Sequence, residues 1–276
     1  MKTVIWVLGV LLAILALYCL SLRCRRRHPL WDRLKMYRYA HRGYHDKPTI
    51  PENSMAAFRR AAERGWGAEL DVHLMADGNL AVIHDSSLQR TAGAEVDVET
   101  LRKEDLARYP LEDSREQIPL LEQVLELFAH GGPLIIELKP YQGNHNELAQ
   151  ALWQRLQSYP GLYCVESFDP RALHWFVRHA PQVVRGQLAE DFLRHDAPLK
   201  GITARILQQL GMNFLSVPDF IAYRLEDRKR CPGLSVCRRV WGAEEASWTL
   251  RTPAELSEAE QVGSVPIFEC FDPEKG

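Results

Sequence analysis

The chain has 276 residues, with 34 Lys and Arg against 36 Asp and Glu, so its formal net charge at pH 7 is -2. Hydrophobic residues make up 46% and charged residues 25%, which is ordinary for a globular protein and excludes collagen-like and intrinsically disordered chains. The near-neutral charge argues against a nucleic-acid-binding protein, and six cysteines without a CxxC pair indicate neither a disulfide scaffold nor a zinc site. We expect the thiols to be reduced and mostly buried.

The chain begins with a run of twenty residues that carry no charge, residues 3–22. At about 1.5 Å per residue, a helix of this length spans the roughly 30 Å hydrocarbon core of a bilayer. The end of the run is bulky, unlike the small residues before a signal-peptide cleavage site, so we expect residues 1–28 to form an uncleaved anchor and its basic flank. The flank contains Arg23, Arg25, Arg26 and Arg27. The side richer in Lys and Arg tends to stay in the cytoplasm, so we expect a single-pass protein of the cell membrane whose main domain is cytoplasmic.

The remaining residues, 29–276, have the length of one α/β barrel, which is typically about 250 residues. Short apolar runs alternate with longer amphipathic stretches, as in βα units around a parallel sheet. The runs predict eight strands, at residues 36–40, 68–73, 134–138, 162–166, 184–188, 214–217, 245–250 and 265–269. Helices are predicted from Asn53 or Ser54 through Ala61, and over residues 120–128, 146–156, 170–178 and 253–261.

One further strand-like run, residues 80–83, follows the second strand after only the residues MADGN. A parallel crossover needs a dozen or more residues, whereas Asp77-Gly78 is a favoured hairpin turn. We therefore predict an antiparallel hairpin beside strand two, which brings His84 near Glu69 and Asp71. The predicted fold is α/β: a (β/α)8 TIM barrel with one small β-hairpin insertion, preceded by one transmembrane helix. A doubly wound open sheet is the alternative, but no GxGxxG marks a nucleotide site.

Charged side chains fall on one face of two predicted strands. Glu69, Asp71 and His73 alternate with apolar residues in AELDVH, and Glu137 and Lys139 do so in LIIELK. In a barrel this charged face points inward, near the carboxyl ends of the strands, where barrel enzymes keep their sites. Three converging acids predict an oxygen-ligand site for Mg²⁺ or Ca²⁺, although ion pairs with Lys139 and Arg42 explain the same pattern.

Two histidines end neighbouring elements of the same predicted cavity. His41 follows the first strand, and His84 follows the hairpin. Imidazoles titrate near neutral pH, so such a pair can act as general base and general acid. Either histidine can equally have a structural role, and the residues alone leave this open.

A series of short motifs runs in order through residues 36–256. They are AHRGY at 40–44, PENS and AAF within 51–58, ELDVHLMADGNLAVIHD at 69–85, LQRTAG at 88–93, IPLLEQVLEL at 118–127, IELKP at 136–140, ESFDP at 166–170 and SWTLRTPAEL at 247–256. Together they resemble the glycerophosphodiester phosphodiesterase family. The resemblance implies a (β/α)8 barrel that uses a divalent metal, Mg²⁺ or Ca²⁺, to cleave glycerophosphodiesters to sn-glycerol 3-phosphate and an alcohol.

The resemblance also implies roles for individual residues. Glu69, Asp71 and Glu137 match the family's metal-binding acids, His41 and His84 match its general acid/base pair, and Arg42 and Lys139 match the residues beside the phosphate. Glu52 of the PENS motif matches either a helix-entry residue or a ligand, and His73 is expected to pack or to support the site from behind.

The sequence departs from the family at two places. No large subdomain fits between His84 and Glu137, and VPIFECFDP stands where many relatives have a Thr-Asp pair after the last strand. The role of that Asp therefore cannot be transferred to Glu269 from the sequence.

The sequence thus predicts a membrane-anchored, metal-dependent phosphodiesterase for small glycerophosphodiesters or lysolipids, with no nucleic-acid partner and no obligate protein partner. One alternative is phospholipase D-like cleavage of lysophospholipids on the same barrel. Another is a non-catalytic, membrane-anchored binding barrel. The joint presence of His41, His84, Glu69, Asp71 and Glu137 argues against that last alternative.

Overall fold

A closed barrel of parallel strands forms the centre of the protein, in a computed structural model that describes residues 2–46, 49–194 and 200–275. These residues form the strands β1 (Tyr39–Ala40), β2 (Gly67–Leu74), β3 (Leu80–Val82), β4 (Leu134–Leu138), β5 (Tyr163–Ser167), β6 (Arg185–Ala189), β7 (Phe220–Arg224), β8 (Glu244–Leu250) and β9 (Val265–Phe268). Parallel pairing runs from β1 through β2, β4, β5, β6, β7 and β8 to β9, and β9 pairs with β1, so the sheet closes. Strand β3 is antiparallel to β2. This topology confirms the predicted barrel with its hairpin insertion and excludes the open sheet.

Helices connect the strands and cover the outside of the barrel. They are α1 (Lys2–Ser21), α2 (Trp31–Leu34), α3 (Met55–Glu63), α4 (Gln89–Ala92), α5 (Leu121–Phe128), α6 (His145–Leu156), α7 (Pro170–His179), α8 (Gly201–Gln208), α9 (Asn213–Ser216), α10 (Pro232–Val236) and α11 (Pro253–Gln261). Short 3-10 segments lie at Val98–Thr100, Lys103–Arg108 and Leu225–Arg230, and a π-helical turn lies at Cys237–Trp241. The five helices predicted within the barrel domain are all present, and Ser54 caps α3 by accepting a hydrogen bond from the backbone N–H of Ala57.

The sixth predicted strand was wrong in position. Residues 214–217 form most of the short helix α9 and its C-terminal cap, whereas the strand is β7, which starts at Phe220. The apolar runs FLSV and FIAY are separated only by Pro218 and Asp219, so the pattern offered two candidates for one strand. The second run pairs with both β6 and β8, while Val217 takes a left-handed φ of 37° that ends the first.

Two apolar layers hold the barrel together. On the outside of the barrel, the outward-facing residues of β2 and β4 pack against α3 and α5. Leu70 and Ile136, for example, lie in one cluster with Phe58 and Phe128. Inside, the lower half is filled by side chains such as Ile135 and Phe220, and Trp31 of α2 stacks on Phe220 with ring centroids 4.7 Å apart. This apolar plug closes the amino ends of the strands and leaves the upper interior to polar side chains.

Helix α1 is exposed along residues 2–17, and only its end contacts the barrel domain, through Tyr18 and Cys19. It is long and apolar enough to cross a membrane by length and composition, with a mean hydropathy of 2.6 and none of its most apolar window buried. A signal sequence near an N-terminus has the same properties. The chain docks on the barrel directly after α1, because Leu22 and Cys24 are buried in a cluster with Tyr223 and Cys237.

Four of the six cysteines, Cys24, Cys164, Cys231 and Cys237, are buried, Cys19 is partly buried and Cys270 is exposed. The expected burial of most of the thiols is therefore confirmed, with Cys270 the exception.

Candidate active site

Carboxylates from three adjacent strands lie in one row inside the barrel. Asp71 of β2 is in register with Glu137 of β4, and Glu137 is in register with Glu166 of β5. Glu69 lies two residues before Asp71 on the same inward face, and all four side chains are buried. One carboxylate oxygen from each of Glu69, Asp71 and Glu137 lies within 4.8 Å of the others. The predicted convergence of the three acids is confirmed, and Glu166 extends the row.

Two cationic side chains enter the same row. The Lys139 Nζ lies 3.1 Å from Asp71 Oδ1 and 2.8 Å from Glu137 Oε1. The Arg42 guanidinium binds Glu52 through Nη1 at 2.8 Å and approaches Asp71 Oδ2 through Nε at 3.5 Å. The predicted ion pairs therefore exist together with the acid cluster.

A tight turn after β1 presents the backbone of Arg42 to the site. Arg42 has a left-handed φ of 55°, and its backbone N–H donates to Glu69 Oε2 at 3.0 Å. Gly43, with φ 76°, has no room for a side chain, because a Cβ there would lie 2.9 Å from atoms of Ala57. The close approach of this turn to α3 thus requires the glycine of the HRG sequence.

The PENS motif supports the acids rather than joining them. Asn53 has a left-handed φ of 53°, and its Nδ2 donates to Asp71 Oδ2 at 2.8 Å. Glu52 accepts hydrogen bonds from Arg42 and from Arg90, whose Nη2 lies 2.7 Å from Glu52 Oε1. Glu52 therefore orients a guanidinium at the rim of the site.

The ring of His41 is held by the carboxylate of Glu269, the residue that directly follows β9. Its Nδ1 lies 2.6 Å from Glu269 Oε2, and its Nε2 lies 3.9 Å from Glu69 Oε2. Glu269 also binds Arg251 at 2.8 Å. Burial and the charge of Arg42 lower the pKa of His41 below its ordinary value, against the opposing effect of Glu269. The ring is therefore largely neutral at pH 7, with Nε2 towards the acids.

His84 is held in a similar way by the next residue. Its Nδ1 lies 2.6 Å from Asp85 Oδ1, and Asp85 in turn binds Arg90. Burial, with the charge of Lys139 as the second cause, lowers the pKa of His84 to about 4. Both histidines thus use Nδ1 for a carboxylate and keep Nε2 for other partners.

The four buried acids differ in the direction in which their surroundings shift their pKa values. Burial raises the pKa of Glu69 well above its usual value, and Asp71 and Glu137 add to the rise. Burial also raises the pKa of Glu137 to about 7, although Lys139 opposes it, and burial with the charge of Glu137 raises the pKa of Glu166 well above its usual value. Burial acts in the same direction on Asp71, but Lys139, His84 and Arg42 hold its pKa well below the usual range.

Six of the seven site residues predicted from the sequence line one cavity, whose wall contains His41, Arg42, Glu69, His84, Glu137, Lys139, Glu166, Phe168 and Trp248. The seventh, Asp71, is buried next to Lys139 of that wall. Sequence reasoning assigned no role in the site to Glu166 or Asp85, and it treated Asn53 only as a candidate helix cap. The ESFDP and PENS motifs contained Glu166 and Asn53, but their spacing carries no sign of contact with β2 or β4. Glu269 was left without a role, and only the closure of β9 against β1 brings it to His41.

Comparison with known proteins agrees with this geometry. The profile of the glycerophosphoryl diester phosphodiesterase family matches residues 41–268. A glycerophosphodiester phosphodiesterase of Bacillus altitudinis is 34% identical over 179 residues, which cover 60% of this chain and 72% of that protein.

Solved structures show the same fold. A glycerophosphodiester phosphodiesterase from Parabacteroides distasonis aligns with a TM-score of 0.66 and 24% identity, covering 84% of this chain and 92% of that one. An Oleispira antarctica phosphodiesterase, solved in complex with the product sn-glycerol-3-phosphate, aligns with a TM-score of 0.67 and 21% identity over the same shares. With the family profile spanning nearly the whole barrel, the chain belongs to the glycerophosphoryl diester phosphodiesterase family and is a phosphoric diester hydrolase.

Proposed function

We propose that this enzyme hydrolyses glycerophosphodiesters to sn-glycerol 3-phosphate and an alcohol, with a divalent cation and a pair of histidines. The observation that carries the proposal is the set of three buried acids whose oxygens lie within 4.8 Å of one another, two of which line a cavity together with His41 and His84. The product bound to the Oleispira relative supports the same reaction.

Glu69, Asp71 and Glu137 are the residues that would hold the cation. All three offer carboxylate oxygens and no thiolate or imidazole, a donor set that suits Mg²⁺ or Ca²⁺. The raised pKa values of Glu69 and Glu137 fit such a site, because a cation favours the charged form that burial disfavours. Once bound, a divalent cation neutralises charge on the phosphoryl oxygens and makes phosphorus easier to attack.

His41 and His84 would move the protons. In direct hydrolysis, the water oxygen bonds to phosphorus as the bond from phosphorus to the alcohol oxygen breaks. One histidine takes the proton of the water at Nε2, and the other, in the imidazolium form that the bound anionic phosphate favours, gives its Nε2 proton to the leaving alkoxide. Because carboxylates hold Nδ1 of both rings, Nε2 is the nitrogen that each ring offers to the substrate.

A second route begins within the substrate. The glycerol 2-hydroxyl attacks phosphorus and releases the alcohol, giving a cyclic phosphate that water then opens. The same two histidines serve both steps with their roles exchanged.

Arg42 and Lys139 would neutralise the phosphate. Their guanidinium and ammonium groups now face Asp71 and Glu137. These acids are the proposed metal ligands, so filling the metal site would free Lys139 to turn towards a phosphoryl oxygen.

The test measures turnover of glycerophosphocholine by the full chain. We expect excess chelator to abolish activity, Mg²⁺ or Ca²⁺ to restore it, and Glu69→Gln, Asp71→Asn and Glu137→Gln each to weaken the metal response sharply. Glu126→Gln, on the exposed face of α5, is the matched control. Full activity in excess chelator would reject the metal.

The histidines are tested in the same assay. General acid–base groups contribute about 10²–10⁴-fold each, so His41→Ala and His84→Ala should lower kcat by that factor, with the metal still bound by His41→Ala. His130→Ala, an exposed histidine after α5, is the control. Turnover near that of the unmodified enzyme in either variant would reject the acid/base pair.

The apolar helix bears on where the substrate is found. Lysophospholipids partition into membranes, so cleavage of a lysolipid to lysophosphatidic acid and an alcohol is the second candidate activity, favoured by α1. A panel of glycerophosphodiesters and lysophospholipids presented to the same preparation separates the two by kcat/KM.

We further infer that α1 anchors the enzyme in the cell membrane with the barrel in the cytoplasm. The apolar helix is followed by exposed Arg23 and Arg27, which favour retention of that side in the cytoplasm. A C-terminal reporter that is active only in the cytoplasm would support this topology. Loss of residues 1–21 from the mature protein, measured by mass, would instead identify a signal sequence.

A further inference from the structure

His73 shares the inward face of β2 with Glu69 and Asp71, but its ring does not join the acid cluster. The side chain is buried, and its two nitrogens have separate partners. Nδ1 lies 2.6 Å from Glu99 Oε1, and Nε2 lies 3.1 Å from the main-chain oxygen of His84. The second oxygen of Glu99 accepts a hydrogen bond of 2.6 Å from Ser86 Oγ. His73 thus connects the strand of the metal ligands to the main chain of a proposed catalytic residue.

Both ring nitrogens of His73 face oxygen atoms, a carboxylate oxygen of Glu99 at Nδ1 and the His84 carbonyl oxygen at Nε2. Glu99 therefore holds the orientation of the ring and directs Nε2 at the His84 carbonyl.

The contact between the His73 ring and the His84 carbonyl lies just beyond the point where the pairing of β2 with β3 ends. Residues 80–82 of β3 pair with β2, and the last backbone bond between the two segments runs from Ile83 N–H to the Asp71 oxygen at 3.1 Å. His84 comes next and already lies outside the strand. Its ring is held by Asp85, but its main chain is held to β2 through the His73 side chain.

We propose that His73, locked by Glu99, is a positioning residue that sets the place of His84 in the reaction. The proposal rests on the acid/base role proposed for His84. Loss of the bond lets the residues after β3 shift, and a displacement of about 1 Å of a catalytic group can cost on the order of 10²-fold in rate.

Two substitutions separate the two nitrogens of His73. His73→Gln places an amide N–H near the position of Nε2 and can still donate to the His84 carbonyl. His73→Asn places its amide near Nδ1 and cannot reach that carbonyl. We expect His73→Gln to retain most of the kcat, and His73→Asn to lose about 10–100-fold in kcat with little change in KM. Equal losses in the two variants would overturn the proposal.

The same substitution is then made in an enzyme that lacks the His84 ring. If His73 acts through His84, His73→Asn should add no further loss in the background of His84→Ala. An undiminished loss in that background would mean that His73 supports the fold or the metal site, and would overturn the proposal. Full activity of His84→Ala alone would reject the catalytic role of His84 and the positioning role together.

A milder variant covers the case in which His73→Asn does not fold. Ser86→Ala leaves His73 in place and removes only the hydroxyl that holds Glu99 Oε2. We expect a loss of kcat of a few-fold that disappears in the His84→Ala background, with an unchanged thermal midpoint and metal affinity. A kcat equal to that of the unmodified enzyme in this folded variant, together with failure of His73→Asn to fold, would assign the network to stability and overturn the proposal.

Discussion

The short segment after the apolar helix decides how much of the N-terminus the barrel needs. Leu22 is fully buried, and Cys24 is 5% exposed in the same cluster. Arg25 donates to Asp219 Oδ2 at 2.6 Å and to the Val183 oxygen at 3.0 Å, and its backbone N–H donates to the Pro218 oxygen at 2.9 Å. The boundary predicted at residue 28 remains a prediction, but these contacts place the dispensable part of the chain at residues 1–21.

The cost of removing the docked segment follows from two contributions. Loss of a buried leucine side chain costs about 2–5 kcal/mol. Asp219 is buried, and removal of Arg25 leaves its charge without the guanidinium, at about 3 kcal/mol for a pair that is partly exposed on the arginine side. Together these reach about 5–8 kcal/mol, a large part of the roughly 5–15 kcal/mol by which a folded domain is stable.

The assay is thermal unfolding of two truncated chains, residues 22–276 and residues 29–276. We expect the longer chain to stay folded and active, and the shorter chain to melt about 10–30 °C lower or to aggregate. Leu22→Ala and Arg25→Ala in the full chain divide the effect between the two contacts. Equal midpoints for the two truncated chains would refute the reasoning, because the segment would then contribute nothing to the barrel.

Three further predictions concern the site. Glu269→Gln keeps the shape of the side chain but removes the charge beside His41 Nδ1, so kcat should fall about 10-fold or more while KM and metal affinity hold. In the metal-free enzyme the contribution of Glu137 to stability should fall as pH rises from about 4.5 to 7, since the folded Glu137, with a pKa of about 7, keeps a proton that the unfolded chain releases. His84, with a pKa of about 4, contributes in the opposite direction, so the difference between the melting curves of the unmodified enzyme and of Glu137→Gln across pH measures the Glu137 contribution, and the same difference at every pH would contradict it. A substrate analogue that lacks the glycerol 2-hydroxyl should be inert if attack is internal and should be cleaved if water attacks directly, as product analysis will show.

The parts of the fold that the sequence predicted are those with a periodic pattern. Alternation in AELDVH and LIIELK defined which side chains of β2 and β4 face inward, and the short MADGN connection defined the hairpin. The prediction of the sixth strand failed because two apolar runs of similar length competed, and alternation within four residues does not distinguish a strand from a short helix. Its partners on β6 and β8 decide the matter, and partners are not visible in a local pattern.

The site was predictable to the extent that its residues lie on strands. The alternation of strand faces predicts that Glu69, Asp71 and Glu137 point inward. Glu166 joins their row only through the register of β5 with β4, which a local pattern does not show. The residues that hold the histidines lie in loops and at strand ends. Glu269 reaches His41 because β9 closes on β1, and Glu99 reaches His73 from a 3-10 segment after the hairpin. Such contacts depend on loop conformation, which composition and periodicity do not encode.

The balance of charge in the cavity bears on whether the acids serve as a metal site or as ion-pair partners. Four buried carboxyls, those of Glu69, Asp71, Glu137 and Glu166, face the ammonium of Lys139 and the guanidinium of Arg42, and Arg42 is shared with Glu52. The histidines add no positive charge at pH 7, since burial lowers the pKa of both.

In the part of the chain that the structure describes, the side chains lining this cavity therefore supply too little positive charge for four ionised carboxyls. Without a cation, protons compensate the excess negative charge. Burial accordingly raises the pKa values of Glu69, Glu137 and Glu166, whereas Asp71, next to Lys139, stays ionised. A divalent cation replaces those protons at neutral pH, so metal binding by this site should release protons and should tighten as pH rises. Ion pairing with Lys139 alone predicts neither, so proton release on addition of Mg²⁺ to the unbuffered enzyme separates the two interpretations.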